Sequence, residues 1–411
     1  MPPRHHPIAA LAASALLVSH PLYAQTGSPR YDLEVSIHPE AGRVEVGGTL
    51  HVPRSLATGG RLVLLHSAEA AGVSLDGPDV DSVSAGSAEG ITRWTLQLGA
   101  DLSDTLRLDV SYRLTIPSDH ALNRITPDWI ELNIDSFWHP VVASIPDIRY
   151  RLRLDVGGDL ELISGDDVTA LDNGIYAVAN YIARRDIPFS AGPDLRSARG
   201  VLSEAWSPMA DVDLEGVVRA SDSILVFLRD YTGRAEDFER PRRIALTPRE
   251  ESGYSRKNYV AMSDVRDMDS LDLSGYLAHE FSHYWFSNAQ FQSRHHWLTE
   301  SFAEYLSMLY MRTRFGDEWF QNELAEKRTR VEVDPTPMAE FEGRPPHVAL
   351  YHRGPLVLYE FEADIGADAF RSLIRAFIRE DIRTTGGLLA LIEEDLGAGA
   401  RRTLERLLAE V

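Results

Sequence analysis

The chain has 411 residues, 44% of them hydrophobic, with a formal net charge of −21 and no cysteine. That length and apolar content support two domains with cores of their own. An acidic balance without a basic patch argues against nucleic acid as a partner, and the missing cysteines exclude disulfides and thiolate metal ligands, so any zinc must rest on histidine and carboxylate.

The first residues read as an export signal. Arg4 precedes the apolar stretch Ile8 to Val18, and Ala24-Gln25 follows as a small-residue cleavage site, with Leu22 an imperfect −3 residue. Eleven apolar residues are too few to span a bilayer as a helix. The expectation is a signal peptide over 1–24 and a mature chain that is exported, periplasmic or secreted, with no transmembrane segment. Without cysteine there is no lipoprotein anchor either.

From Tyr31 to about Pro193 the apolar residues recur with period two. Tyr31, Leu33, Val35 and Ile37 alternate with polar residues, as do Leu106 through Ile116 and Tyr150 through Val156. Gly and Asp clusters punctuate these runs, which predicts an antiparallel β-sandwich or saddle over 25–195. Ser136-Phe137-Trp138-His139-Pro140 is an aromatic segment within it, and His139 is read as a structural or interface residue. The period then changes, placing a second domain over 196–411. Leu214, Val217, Val218, Ile224, Leu225 and Leu228 predict an amphipathic helix ending at Gly233. Ile244 to Leu246 and Tyr259 to Met262 read as short strands. Beyond Tyr351 the spacing is helical, with shorter helices over Leu388 to Leu396 and Arg401 to Ala409. The overall class is α+β in two domains.

The chemistry is concentrated in His279-Glu280-Phe281-Ser282-His283. Residues four apart share a helix face, so both imidazoles can reach one ion while Glu280 stands beside them as the base for a water. Leu273, Leu277, Phe281 and Trp285 supply the buried stripe, which leaves the histidines free of a packing role. Glu300, in Trp297-Leu298-Thr299-Glu300-Ser301, is the third ligand, leaving a fourth position open as in catalytic zinc sites. Its helix is expected from an N-cap at Thr299 to Gly316, with Phe302, Tyr305, Leu306 and Leu309 as the apolar face. Glu304, one turn after Glu300, is a partner for the other ring N–H of a ligating histidine, or else a solvated carboxylate. His295 and His296 are read as residues of the connecting loop. One zinc per chain is expected.

His279 to Asn288 followed by Trp297 to Ala303 resembles the gluzincin aminopeptidases of the membrane-alanyl-aminopeptidase and leukotriene-hydrolase type. The interval Tyr284 to Thr299 holds sixteen residues where that family usually has eighteen, a shortened interhelix loop. Tyr351-His352-Arg353-Gly354 is similar to the family's Tyr-x-Lys-Gly, in which the tyrosine hydroxyl stabilises the tetrahedral intermediate. The resemblance implies a β-rich N-terminal domain, a mainly helical thermolysin-like catalytic domain, zinc on His279, His283 and Glu300, and Glu280 and Tyr351 in catalysis. It further implies a peptide or protein substrate. The family's long helical-repeat C-terminal domain has no counterpart here, so a more open site is expected.

One departure matters. The family's Gly-x-Met-Glu-Asn segment, whose Glu binds the substrate's free amine, corresponds here to Gly253-Tyr-Ser-Arg256-Lys257-Asn258. A cation stands where the carboxylate should be, and it would repel an ammonium unless it merely faces water. Glu250, Glu251 or a carboxylate of the β domain could fill the place instead. The expectation is a metallopeptidase, aminopeptidase-like, with weak dependence on a free N-terminus. The rival readings are a catalytically silent binding or scaffold protein and a non-peptide zinc hydrolase.

Overall fold

The structure is a computed structural model that describes residues 27–99, 103–250, 252–263, 265–289, 292–333 and 335–410. The expected signal peptide, 1–24, and Glu251 lie outside the described residues.

The period-two runs form strands. Along Thr105–Thr115 burial alternates without interruption, Leu106, Leu108, Val110, Tyr112 and Leu114 pointing inward, because successive side chains leave a pleated strand on opposite faces. Arg30–His38 and Arg149–Asp155 behave in the same way. These belong to a seven-stranded sheet in the order Asp167–Asp172, Ile175–Ala179, Arg149–Asp155, Arg30–His38, Arg43–Pro53, Thr105–Thr115, Ala70–Asp76. Its pairings are antiparallel except that Arg30–His38 runs parallel to Arg149–Asp155, a departure from the purely antiparallel expectation. A second, four-stranded sheet includes Arg61–Ser67 and Ile91–Leu98. Leu62, Leu64 and Leu96 of this sheet share one apolar core with Tyr31, Leu50 and Leu108 of the first, which makes a sandwich.

A mixed five-stranded sheet begins at Arg196, in the order Arg196–Arg199, Ser203–Ser207, Arg242–Leu246, Tyr259–Met262, Tyr254–Arg256. The three inner strands are parallel to one another. The edge strand Tyr254–Arg256 carries the segment expected to face the substrate. Tyr254, Tyr259 and Ala245 pack with Trp129 and Ile163 in a small core, so the sheet is seated against the β-rich portion.

Seven helices follow among the described residues: α1 (Leu214–Thr232), α2 (Ser270–Ser282), α3 (Trp297–Phe315), α4 (Asp317–Val333), α5 (Gly354–Ile365), α6 (Ala367–Arg379) and α7 (Thr385–Ala409). Asp213 caps α1 by accepting from Gly216 N, and Gly233 ends it at φ 70°, a left-handed conformation that favours glycine. Two boundaries differ from expectation. Thr299 lies inside α3, which is preceded by a 3-10 turn over Arg294–His296 capped by Ser293. The two C-terminal helices form one span, α7, kinked at Gly397, whose φ of 88° and ψ of 168° are not helical. α4 was not expected; only Phe320, Leu324 and Lys327 of its seventeen residues are buried, too little apolar surface to mark a helix. No helix among the described residues is long and apolar enough to cross a membrane.

Candidate active site

α2 and α3 lie side by side and bring His279, His283 and Glu300 together, with one donor atom from each within 4.8 Å of the others. The Nε2 atoms of the two histidines are 3.1 Å apart, and each is 3.5 Å from Glu300 Oε2. The opposite ring nitrogens are already committed. His279 Nδ1 donates to Glu304 Oε2 at 2.9 Å, and His283 Nδ1 donates to the Phe286 carbonyl at 3.1 Å. A carbonyl can only accept, so the His283 proton is on Nδ1 and its Nε2 presents a lone pair. Once His279 gives up a second proton to an arriving cation, two such lone pairs and a carboxylate oxygen converge in a buried space, a donor set suited to a divalent cation, and the N,N,O composition suits zinc. The Glu304 role is therefore the histidine-orienting one.

The surrounding charges set the protonation of the ion-free site, where the acidic neighbours favour a proton on the histidines that a cation would displace. Burial alone would lower the His279 pKa, yet Glu300 and Glu304 carry it up to about 10. Burial would raise Glu304, but Lys327 and His279 hold it down at about 2. Burial would raise Glu300 too, but His283 first, and then hydrogen bonding with the neighbouring histidines, hold it far below the usual carboxylate range. Glu280 is different. It is 6% exposed, its Oε2 has no hydrogen-bond partner among the described residues, and burial raises its pKa against the nearby histidines. A carboxylate with one oxygen left without a hydrogen-bond partner, and made more basic by desolvation, is fitted to accept a proton.

Tyr351 sits in a π-helical turn, Ala349–Arg353, that runs directly into α5. Single π turns recur at functional positions because they re-aim one side chain. The Tyr351 ring stacks between His279 and His347, with centroids 5.5 and 4.4 Å away, and its hydroxyl donates to Glu300 Oε2 at 2.7 Å. Burial, then Glu300, pushes the phenol pKa upward, so it stays protonated and remains a donor. The turn comes close to α3 at Gly354, where a Cβ would lie 1.9 Å from Ser301 Oγ. Only glycine fits there.

His296, assigned from sequence to a connecting loop, belongs to this site. It is 4% exposed, and its Nε2 lies 3.1 Å from Glu300 Oε1, the carboxylate oxygen turned away from the histidine pair. The signal was present in the sequence, since His296 and Glu300 are one helical turn apart, but it was hidden by starting the helix at Thr299. His295 turns away and meets Thr385 Oγ1 at 3.1 Å. His139 is 1% exposed in the β-rich portion, its Nε2 3.7 Å from Asp186.

The cations of the segment Gly253 to Lys257 are already paired within the chain. Gly253 permits a close approach to α2, because a Cβ would lie 2.3 Å from the Tyr276 hydroxyl. Arg256 is partly exposed but not a free cation: its Nε donates to Asp186 at 2.8 Å and its Nη2 to Asp135 at 3.1 Å. Lys257 Nζ donates to the Tyr284 carbonyl at 2.9 Å. Two β-domain carboxylates thus reach the strand, but both are spent on the arginine. Glu250 is exposed.

No family model and no curated protein matches the chain. Solved structures do. The M1 zinc metallopeptidase of Deinococcus radiodurans superposes with a TM-score of 0.65 at 19% identity, over 93% of this chain and 93% of that one. A mutant of that protein bound to a Tyr-Ser-Ala substrate gives a TM-score of 0.68 at 19% identity, over 93% and 94%. Leukotriene A4 hydrolase of Saccharomyces cerevisiae gives 0.71 at 16% identity, over 93% of this chain and 67% of that one. At such identities the likeness is one of fold: the chain has the β-rich and helical two-part architecture of the M1 zinc metallopeptidases.

Proposed function

We propose that the chain is a zinc metallopeptidase that hydrolyses peptide bonds with a water as nucleophile, aminopeptidase-like but with weak dependence on a free N-terminus. The observation that carries this is the convergence of His279 Nε2, His283 Nε2 and Glu300 Oε2 beside a buried, unpartnered Glu280 oxygen. His279, His283 and Glu300 would hold a zinc ion, which when bound would supply Lewis acidity to the scissile carbonyl and lower the pKa of a water. Glu280 accepts the proton of the attacking water and passes it to the leaving amine. Tyr351 donates its hydroxyl hydrogen bond to the oxyanion as it forms, a contact that strengthens in the transition state. Glu304 and the Phe286 carbonyl hold the two imidazoles in the tautomer that presents Nε2. His296 steadies the remaining oxygen of Glu300.

The weak N-terminal selectivity follows from the edge strand. An ammonium-binding site needs an anion with charge to spare, and both Asp135 and Asp186 are engaged by Arg256. Peptide substrates are favoured by the fold neighbour whose structure holds a Tyr-Ser-Ala substrate. An exported location, from the Ile8 to Val18 stretch, belongs to the same proposal. The test is zinc-loaded protein against one peptide with free and with acetylated N-terminus, and against an ester. Cleavage of both peptides at rates within about tenfold is expected. A strong preference for the free form would make it an ordinary aminopeptidase, ester turnover alone a non-peptide hydrolase, and silence on all three a binding protein.

A further inference from the structure

Lys327 is the deepest polar residue of α4 and has no part in the mechanism above. It lies at the end of the buried stripe Phe320, Leu324, Lys327, at i, i+4 and i+7, where a hydrocarbon side chain would be the ordinary choice. Its ammonium is 3% exposed and spends its three hydrogens on three acceptors. These are Glu304 Oε1 at 2.6 Å, Glu323 Oε1 at 3.0 Å and the Tyr351 backbone carbonyl at 3.0 Å. The first acceptor is the carboxylate that holds His279 Nδ1, and the third is the peptide unit of the tyrosine whose hydroxyl reaches Glu300. A π turn disturbs the regular carbonyl ladder, and here side-chain donors occupy two successive carbonyls: Ser301 Oγ on Leu350 O at 2.7 Å and Lys327 on Tyr351 O.

We propose that Lys327 is a positioning residue that ties the ligand His279, through its partner Glu304, to the π turn carrying Tyr351, so that the ligand set and the oxyanion donor are aligned as one unit. A buried ammonium is retained at this position because one cation can fix a carboxylate and a backbone carbonyl from two different elements, which an apolar side chain cannot do. The inference rests on the catalytic reading of Tyr351 for its kinetic half and on the ligand assignment for its binding half. It predicts that Lys327 acts through both neighbours without touching substrate.

The experiment is a mutant cycle on the full chain with Lys327→Met and Tyr351→Phe, together with zinc affinity measured by competition with a chelator. At saturating zinc, Lys327→Met should lower kcat about tenfold or more with KM within about twofold. In the Tyr351→Phe background the same change should cost less than about twofold, because the group being aimed is already gone. Its zinc affinity should fall on the order of tenfold. Equal kcat losses in both backgrounds would overturn the tie to Tyr351, and unchanged zinc affinity would overturn the tie to Glu304. Tyr351→Phe with wild-type turnover would instead sink the catalytic reading of the tyrosine. If Lys327→Met does not fold, Lys327→Gln, which keeps N–H donors without the charge, is read on the same two scales and should fall between.

Discussion

Strand Thr105–Thr115 and helix α3 are both central to their cores, yet they bury opposite things. Every inward position of the strand is apolar and every outward one is wet. From Trp297 to Met311 the helix is buried at every residue but Glu304, and its surroundings hold Glu300, Glu304, His279, Glu280 and Lys327. In the strand, burial is favourable by itself, at roughly 25 cal/mol per Å² of apolar surface. Around the helix each charge costs desolvation that only a placed partner offsets. Removing a side chain from the first region leaves a hole; removing one from the second leaves a stranded partner. The two interiors should therefore fail differently.

The largest effects belong to the polar interior and fall on turnover and zinc. Glu280→Gln should keep zinc and fold yet lose turnover by about 10²–10⁴-fold, since a carboxamide cannot accept the proton. His283→Ala should abolish stoichiometric zinc by metal analysis; undiminished zinc would remove the ligand assignment. The apolar interior should show the reverse pattern. Leu108, fully buried between the sheets, on change to Ala should cost about 2–5 kcal/mol in denaturant unfolding, with kcat per folded molecule unchanged. A kinetic defect there would mean that the two interiors are coupled more tightly than their separate cores suggest.

The smallest effect sharpens the comparison through pH. Glu304 is held at about 2, below its ordinary 4.5. A depressed carboxyl contributes stability that is fully present above about 4.5 and is lost as pH falls toward about 2. In metal-free protein, Glu304→Gln should therefore be less stable than wild type near neutral pH, by on the order of 3 kcal/mol. The gap should close by about pH 2. A pH-independent gap would mean that packing, and not the charge partners, holds Glu304.

The strands of the first region were legible because period two survives any tertiary context when one face is dry. His279, His283 and Glu300 were legible because helical spacing alone puts the histidines on one face. What escaped was set by partners distant in sequence. The charge balance at Arg256 comes from Asp135 and Asp186, which no local pattern marks. α4 escaped because its third buried position is Lys327, so its apolar stripe reads as only two residues. His296 escaped through a misplaced helix start: the N-cap is His296 itself, three residues before the expected Thr299, and the error had a chemical consequence.

The parallel pairing of Arg30–His38 with Arg149–Asp155 bears on how the chain acquires its shape. The first described strand finds one neighbour at once through the Arg43–Pro53 hairpin, but its other edge waits for a strand that begins at Arg149. Closing so long a loop is slow because the entropy of bringing the ends together is lost before the ladder forms. Until Arg149–Asp155 docks, the main-chain donors and acceptors along that edge of Arg30–His38 are open to any other extended segment, which is how unfinished sheets aggregate. A fragment ending before Arg149 should therefore associate through that edge, whereas one reaching past Asp155 closes it from within.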